Sequence, residues 1–155
     1  MEKTSQSVSQ TLKIGKTLGK LLSGGEIILL SGTLGAGKTV IAKGIAQGLG
    51  IKINQVISPT FVLLRVIKGR HLLYHFDLYR LNNATQIQEL GFQEYFYGTG
   101  VTLVEWPERL KILLPREFLK IKLTLKGQKM RLVKFIARGA RYKKLIARID
   151  ENTRN

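Results

Sequence analysis

Eight residues constrain this chain more than any others: Gly32-Thr33-Leu34-Gly35-Ala36-Gly37-Lys38-Thr39, the pattern G-x-x-x-x-G-K-[ST]. Glycines at these places let the backbone curl until successive N–H groups point into one concavity, and a ring of amides suits a phosphate. Lys38 adds an ammonium for the β- and γ-phosphates, and the Thr39 hydroxyl can ligate Mg2+. Such a loop carries meaning only between a buried strand and a helix. Before it, Ile27-Ile28-Leu29-Leu30 is an unbroken apolar run, as expected of a strand covered on both faces of a parallel sheet. After it, Val40, Ile41, Ile45 and Leu49 form a helical stripe, closed by Gly48 and Gly50. The start of that helix brings its positive dipole end to the same place. The motif is therefore read as a site for a nucleoside triphosphate, ATP with Mg2+.

The remaining pattern places the loop in a fold. Val8, Leu12, Leu18, Leu21 and Leu22 predict a helix ended by Gly24-Gly25. Residues 61–67 and 71–79 predict strands joined by the turn Lys68-Gly69-Arg70. Thr85 to Phe96 predicts a helix kinked near Gly91. Val101 to Glu105 predicts a buried strand ending in a carboxylate. Leu119, Ile121, Leu123 and Leu125 alternate with Lys120, Lys122, Thr124 and Lys126, which predicts a half-exposed strand with a lysine-coated outer face. Gly127-Gln128 turns it into a second strand, Met130 to Ile136. This order predicts an α/β fold, a three-layer P-loop NTPase with a mixed sheet whose core is mainly parallel and whose edge strands are antiparallel. A chain of 155 residues suits one core. Residues 1–137 are expected to form the ATPase domain, and 138–155 a basic tail or short helix of the same domain around Leu145, Ile146 and Ile149.

Composition narrows the class. With no cysteine, neither a disulfide scaffold nor a thiolate zinc site is available. No apolar run reaches the ~18 residues that span a bilayer, and no signal-peptide core follows Met1-Glu2-Lys3. A soluble, cytoplasmic protein is expected. The net charge is +16, and residues 109–155 hold 15 Lys+Arg against 3 Asp+Glu. A basic surface attracts polyanions such as RNA through counterion release. A plain solvated face explains the same charges, and both readings stay open.

Magnesium beside a phosphate loop usually takes a carboxylate from the end of a neighbouring strand. Glu105 ends its strand at the sheet edge where ligands bind. Asp77 closes His71-Leu72-Leu73-Tyr74-His75-Phe76-Asp77 and shares a strand face with His75 by period two. Spacing alone leaves either carboxylate equally able to pair with Arg80 or Arg109. Glu108, beyond Pro107, is a further candidate. His75 reads as a packed, hydrogen-bonded strand histidine.

The motifs Leu34-Gly35-Ala36-Gly37-Lys38-Thr39, Ser58-Pro59-Thr60-Phe61, Tyr74-His75-Phe76-Asp77-Leu78-Tyr79-Arg80-Leu81 and Glu105-Trp106-Pro107-Glu108-Arg109 occur in one order. In that order, across roughly residues 8–115, the sequence resembles the TsaE (YjeE) family. These are small P-loop ATPases required for making threonylcarbamoyladenosine in tRNA. The resemblance implies a magnesium–ATP site in which Thr39 and Glu105 serve the metal. The nucleotide would lie against Thr33, Leu34, Gly35, Ala36, Gly37, Lys38, Thr39, Asp77 and Glu108. It implies a switch segment at Ser58-Pro59-Thr60-Phe61, Trp106 beside the site, and two partner proteins, TsaB and TsaD, with the transfer chemistry on TsaD. Thr33 departs from the family's usual Asp. The basic C-terminal third matches less well, so no nucleotide contact maps onto Gln128, Lys129 or Arg131.

Lys38, the loop amides and Mg2+ would neutralise the phosphates, while Asp77 or Thr60 orients the attacking water. No internal arginine finger stands out, so hydrolysis is expected to be slow until a partner completes the site. Two other functions share the loop: a small-molecule kinase of the nucleotide type, and a nucleotide-gated RNA-binding or scaffold protein that uses the basic tail.

Overall fold

The computed structural model describes residues 1–57 and 62–154. The apolar run before the glycine loop is strand β2, Ile27–Ser31, with all five residues buried. The loop delivers the chain into helix α2, Lys38–Gly48. Helix α1, Val8–Leu21, precedes β2, and the Ser7 hydroxyl caps it by accepting from the Gln10 amide at 3.1 Å. The sheet also holds β1 (Glu2–Ser5), β3 (Leu64–Lys68), β4 (Leu72–Asp77), β5 (Val101–Glu105), β6 (Phe118–Lys126) and β7 (Met130–Arg138). Their spatial order is β1-β7-β6-β2-β5-β4-β3. The four central strands run parallel, β3 at one edge and β7 at the other run against them, and β1 pairs antiparallel with β7.

Period-two alternation sends successive residues of the central strands to two different cores. Ile28, Leu30, Leu73, Leu103, Ile121 and Phe135 face α1, α2 and helix α5 (Ala140–Arg154). Ile27, Leu29, Phe76 and Val104 face helices α3 (Ala84–Glu89) and α4 (Phe92–Phe96). The second helical layer covers β2, β5 and β4. It reaches only the start of β6, where Phe118 joins the same core, so half-buried Lys120 and exposed Lys122 lie beyond it on the same sheet face.

Helices α1 and α2 meet along a seam of glycines. A Cβ on Gly15 would come within 2.5 Å of the Ile41 carbonyl, and one on Gly48 within 2.5 Å of the Lys16 carbonyl. Gly19 and Gly44 fill the other two places, so the backbones nearly touch. This seam fixes the height of α2, and therefore of the loop at its start, against the sheet.

The elements differ from the sequence reading in four places. Strand β1 has no counterpart in it, because four residues give too little alternation to read. The strand expected over 61–67 begins at Leu64, and Phe61 lies outside the described residues. The helix expected over 85–96 is two short helices, broken where Gly91 takes φ 64°. The basic tail is a fifteen-residue helix whose Tyr142, Leu145 and Ile149 are buried in the larger core. The Tyr142 hydroxyl accepts from the Ile27 amide at 2.8 Å, tying α5 to the start of β2.

Candidate functional site

The loop needs glycine where the chain turns most sharply. Gly32 sits at φ 147°, and a Cβ there would meet the Leu123 carbonyl at 2.6 Å. Gly37 takes φ 110° as the residue before α2. No side chain caps the first turn of that helix and no acidic residue lies in it, so its amides keep their positive field.

Lys38 is the first residue of α2 and only 6% exposed. Its Nζ curls back to donate to the Gly32 carbonyl at 2.7 Å and the Thr33 carbonyl at 3.0 Å. It also lies 4.6 Å from the centre of the Trp106 ring. Burial pulls the Lys38 pKa below the ordinary lysine value, against the opposing pull of Glu105, Asp77 and Glu108. Among the described residues Lys38 forms no ion pair within 4 Å.

Sheet register supplies the carboxylates. On β4 and β5, Asp77 pairs with Glu105, and on β2 and β5, Leu30 pairs with Glu105. The three strands therefore end level with one another, beside the loop. Asp77 is 2% exposed and Glu105 3%. The Tyr79 amide donates to Asp77 Oδ1 at 2.9 Å. Glu105 Oε1 is 2.9 Å from His75 Nε2, so the partner of this carboxylate is the strand histidine and neither Arg80 nor Arg109. A cavity of about 360 Å³ joins Leu34, Gly35, Gly37, Lys38, Thr39, Asp77, Glu105 and Trp106.

Other expected residues lie differently. Ala36 is fully buried under the loop, leaving its backbone as the part that can face a ligand. Thr33 and Glu108 line an adjoining cavity of about 530 Å³ on the other flank of the loop, with Lys120 and Lys122. Glu108 is half-exposed there, 3.8 Å from Lys120 Nζ. It is thus set apart from the hollow that holds Lys38, Asp77 and Glu105. Thr60 lies outside the described residues.

Two features escaped the sequence: the reach of Arg131 to the loop and the backbone kink at Trp106. Arg131, on β7, donates from Nε to the Ala36 carbonyl at 3.1 Å and lines the Lys38 cavity. It reaches the loop because β6 pairs with β2, a long-range pairing that no local signal announces. Trp106 holds φ 59°, ψ 51°, an uncommon conformation for a bulky residue. That kink follows Glu105 directly and swings the indole beneath the Lys38 ammonium, where Tyr79 also packs at 4.9 Å between ring centres.

The family described as "Threonylcarbamoyl adenosine biosynthesis protein TsaE" matches residues 5–133. The chain belongs to the TsaE family. The protein of that name from Treponema pallidum is 45% identical over 123 residues, which cover 79% of this chain and 90% of the relative. The one from Bacillus subtilis is 39% identical over 144 residues, or 92% of this chain and 89% of the relative. A crystal structure of YdiB from Bacillus subtilis superposes with a TM-score of 0.86 at 34% identity, covering 99% of this chain and 95% of that one. The structural likeness therefore takes in the end of β7 and α5, beyond the end of the family match. Membership places the chain in tRNA threonylcarbamoyladenosine biosynthesis and agrees with a P-loop, nucleotide-binding protein. No helix among the described residues is long and apolar enough to cross a membrane.

The donor set fits a magnesium–nucleotide complex. An ammonium turned back onto its own loop, uncapped helix amides, a threonine hydroxyl and two buried carboxylates at level strand ends are the donor types that such an anion and cation require.

Proposed function

We propose that the protein binds and hydrolyses ATP with Mg2+, and that this cycle serves the threonylcarbamoyladenosine modification of tRNA in the cytoplasm through a complex with TsaB and TsaD. The observation that carries the ATP reading is the Lys38 ammonium, 6% exposed and held only by Gly32 and Thr33 carbonyls among the described hydrogen bonds. A buried cation with neutral partners is set to exchange them for phosphate oxygens. The loop from Thr33 to Thr39 would wrap the phosphates with its backbone amides. The Thr39 hydroxyl and Glu105 would hold Mg2+, whose charge offsets that of the β- and γ-oxygens. Asp77, buried at the end of β4 beside Lys38 and Glu105 in the same cavity, is the residue we assign to orienting the attacking water. Thr60 is retained as a second candidate for that role. Glu108, on the other flank of the loop, is kept as a nucleotide contact reached from Thr33.

Phosphate release measured with and without a TsaB–TsaD pair tests the scheme. Turnover by the chain alone should be slow and should rise in the complex, and equal rates would refute completion of the site by a partner. Release of a phosphorylated nucleoside monophosphate instead of inorganic phosphate would identify a kinase.

For an RNA contact, the sheet face beyond α3 and α4 is a better candidate than the tail. There Lys122 stands opposite Lys134, and Lys120, Lys126 and Arg138 extend the same face. Glu2 already pairs with Lys134 at 3.1 Å, so the excess positive charge of this face lies on Lys122, Lys126 and Arg138. A tRNA gel shift at two salt concentrations, comparing the Lys122→Glu, Lys134→Glu double variant with Lys143→Glu, Lys144→Glu, separates the two surfaces. Truncation at Gly139 would not, since it removes the buried residues of α5.

A further inference from the structure

Strand register puts six side chains on the α2 side of the sheet: Leu73, His75 and Asp77 on β4, and Val101, Leu103 and Glu105 on β5. His75 pairs directly with Leu103, so its imidazole looks diagonally up the neighbouring strand toward Glu105. The ring is completely buried, and Nε2 is 2.9 Å from Glu105 Oε1. An ionised carboxylate only accepts, so Nε2 carries the hydrogen of this bond. The other ring nitrogen, Nδ1, is buried and meets no hydrogen-bond partner among the described residues. A buried polar atom without a partner is costly, and natural cores retain one where function requires it. The histidine is thus held in place by packing, and its one described polar contact is the carboxylate at the site.

We infer that His75 is a positioning residue: it grips Oε1 of Glu105 from inside the core and so leaves Oε2 aimed at the divalent cation that accompanies the nucleotide. This rests on the proposed role of Glu105 in holding that cation. The principle is that of an outer-shell hydrogen bond that fixes a ligating carboxylate, and losing such a bond typically weakens metal affinity ~10–100-fold. Packing explains why the orienting group must be a strand residue. Glu105 is 3% exposed, and its chain continues into the left-handed kink at Trp106, so His75 is its one described side-chain partner. A purely structural bond would instead stabilise the strand pair and leave metal affinity alone.

The test titrates Mn2+ into the protein saturated with a non-hydrolysable ATP analogue, with bound metal read by electron paramagnetic resonance. Thermal melting and affinity for metal-free ADP are measured alongside. His75→Gln places an amide donor near the Nε2 position, whereas His75→Asn stops short at Nδ1. His75→Asn should bind Mn2+ about tenfold or more weakly, with metal-free ADP affinity within twofold of wild type, and His75→Gln should recover most of the loss. Equal Mn2+ affinity in His75→Asn and wild type would overturn the inference, as would an equal loss in both variants. Glu105→Gln is the control arm. If it binds Mn2+ as well as wild type, the metal role of Glu105 falls and takes His75 with it. If Glu105→Gln loses Mn2+ and His75→Asn does not, the role of His75 alone is refuted.

Discussion

Replacing Lys38 with methionine keeps the length and apolar stem of the side chain and removes only the ammonium. Without nucleotide that ammonium donates to two carbonyls, at 2.7 and 3.0 Å. Against a phosphate oxygen at about 3 Å, a unit charge at an effective dielectric of ~20 gains roughly 5 kcal/mol. Giving up the carbonyl bonds returns about 2 kcal/mol of that. The net loss in Lys38→Met is then about 2–4 kcal/mol, roughly a 30- to 700-fold weaker Kd for Mg-ATP. Trp106 is the only tryptophan of the chain and lies 4.6 Å from the ammonium, so its fluorescence should report the titration directly. Folding should be spared. The carbonyls released belong to half-buried Gly32 and exposed Thr33, which water can satisfy, and burial already disfavours the charged lysine, whose pKa is pulled below the usual 10.5. In the interval between the folded and free values the unfolded chain binds the extra proton, so wild-type stability should rise with pH there while nucleotide affinity falls. A Lys38→Met protein that binds Mg-ATP within threefold of wild type would refute the assignment of the phosphate site.

Three more outcomes are expected. Glu26 is 3% exposed and accepts from the Ser23 amide, the Ser23 hydroxyl, the Gly24 amide and Arg141. Burial alone would raise its pKa, but these donors and the Arg141 charge outweigh burial and hold it below the usual 4.5. Glu26→Gln, which leaves donors facing an amide, should cost about 2–4 kcal/mol in urea denaturation at pH 7. That difference should be fully present above pH 4.5 and fade as pH falls through the lower folded value. Gly48→Ala, which ordinarily helps a helix by about 1 kcal/mol, should here destabilise by ~1–3 kcal/mol because its methyl meets the Lys16 carbonyl. An unchanged or higher denaturation midpoint would show that the α1–α2 seam is not tight. Arg131→Ala removes the bond to the Ala36 carbonyl and should weaken Mg-ATP binding about fivefold, the equivalent of one hydrogen bond, in the same fluorescence titration.

The loop from Gly32 to Thr39 was legible because its chemistry is local: glycines, a lysine and a threonine at fixed spacing between an apolar run and an amphipathic stripe. The same holds for the parallel core, whose strands read as unbroken apolar segments, and for the alternating lysines of β6. The glycines of the α1–α2 seam fall at two G-xxx-G spacings that the sequence reading passed over, since spacing alone does not say that two helices will meet there. Arg131 gave no local sign at all. Nor did the choice of partner for Glu105, since period two put His75 and Asp77 on one face but could not align β4 with β5.

Sequence alone determined that the chain has a phosphate loop between a buried strand and a helix, because each of those elements is specified by residues within a few positions of one another. Tertiary structure decided which side chains surround that loop. Level strand ends bring Asp77 and Glu105 to it, a distant hairpin brings Arg131, and a kink brings Trp106. Those choices rest on sheet register and on how closely two helices can approach, and both are settled by packing between residues far apart in the chain.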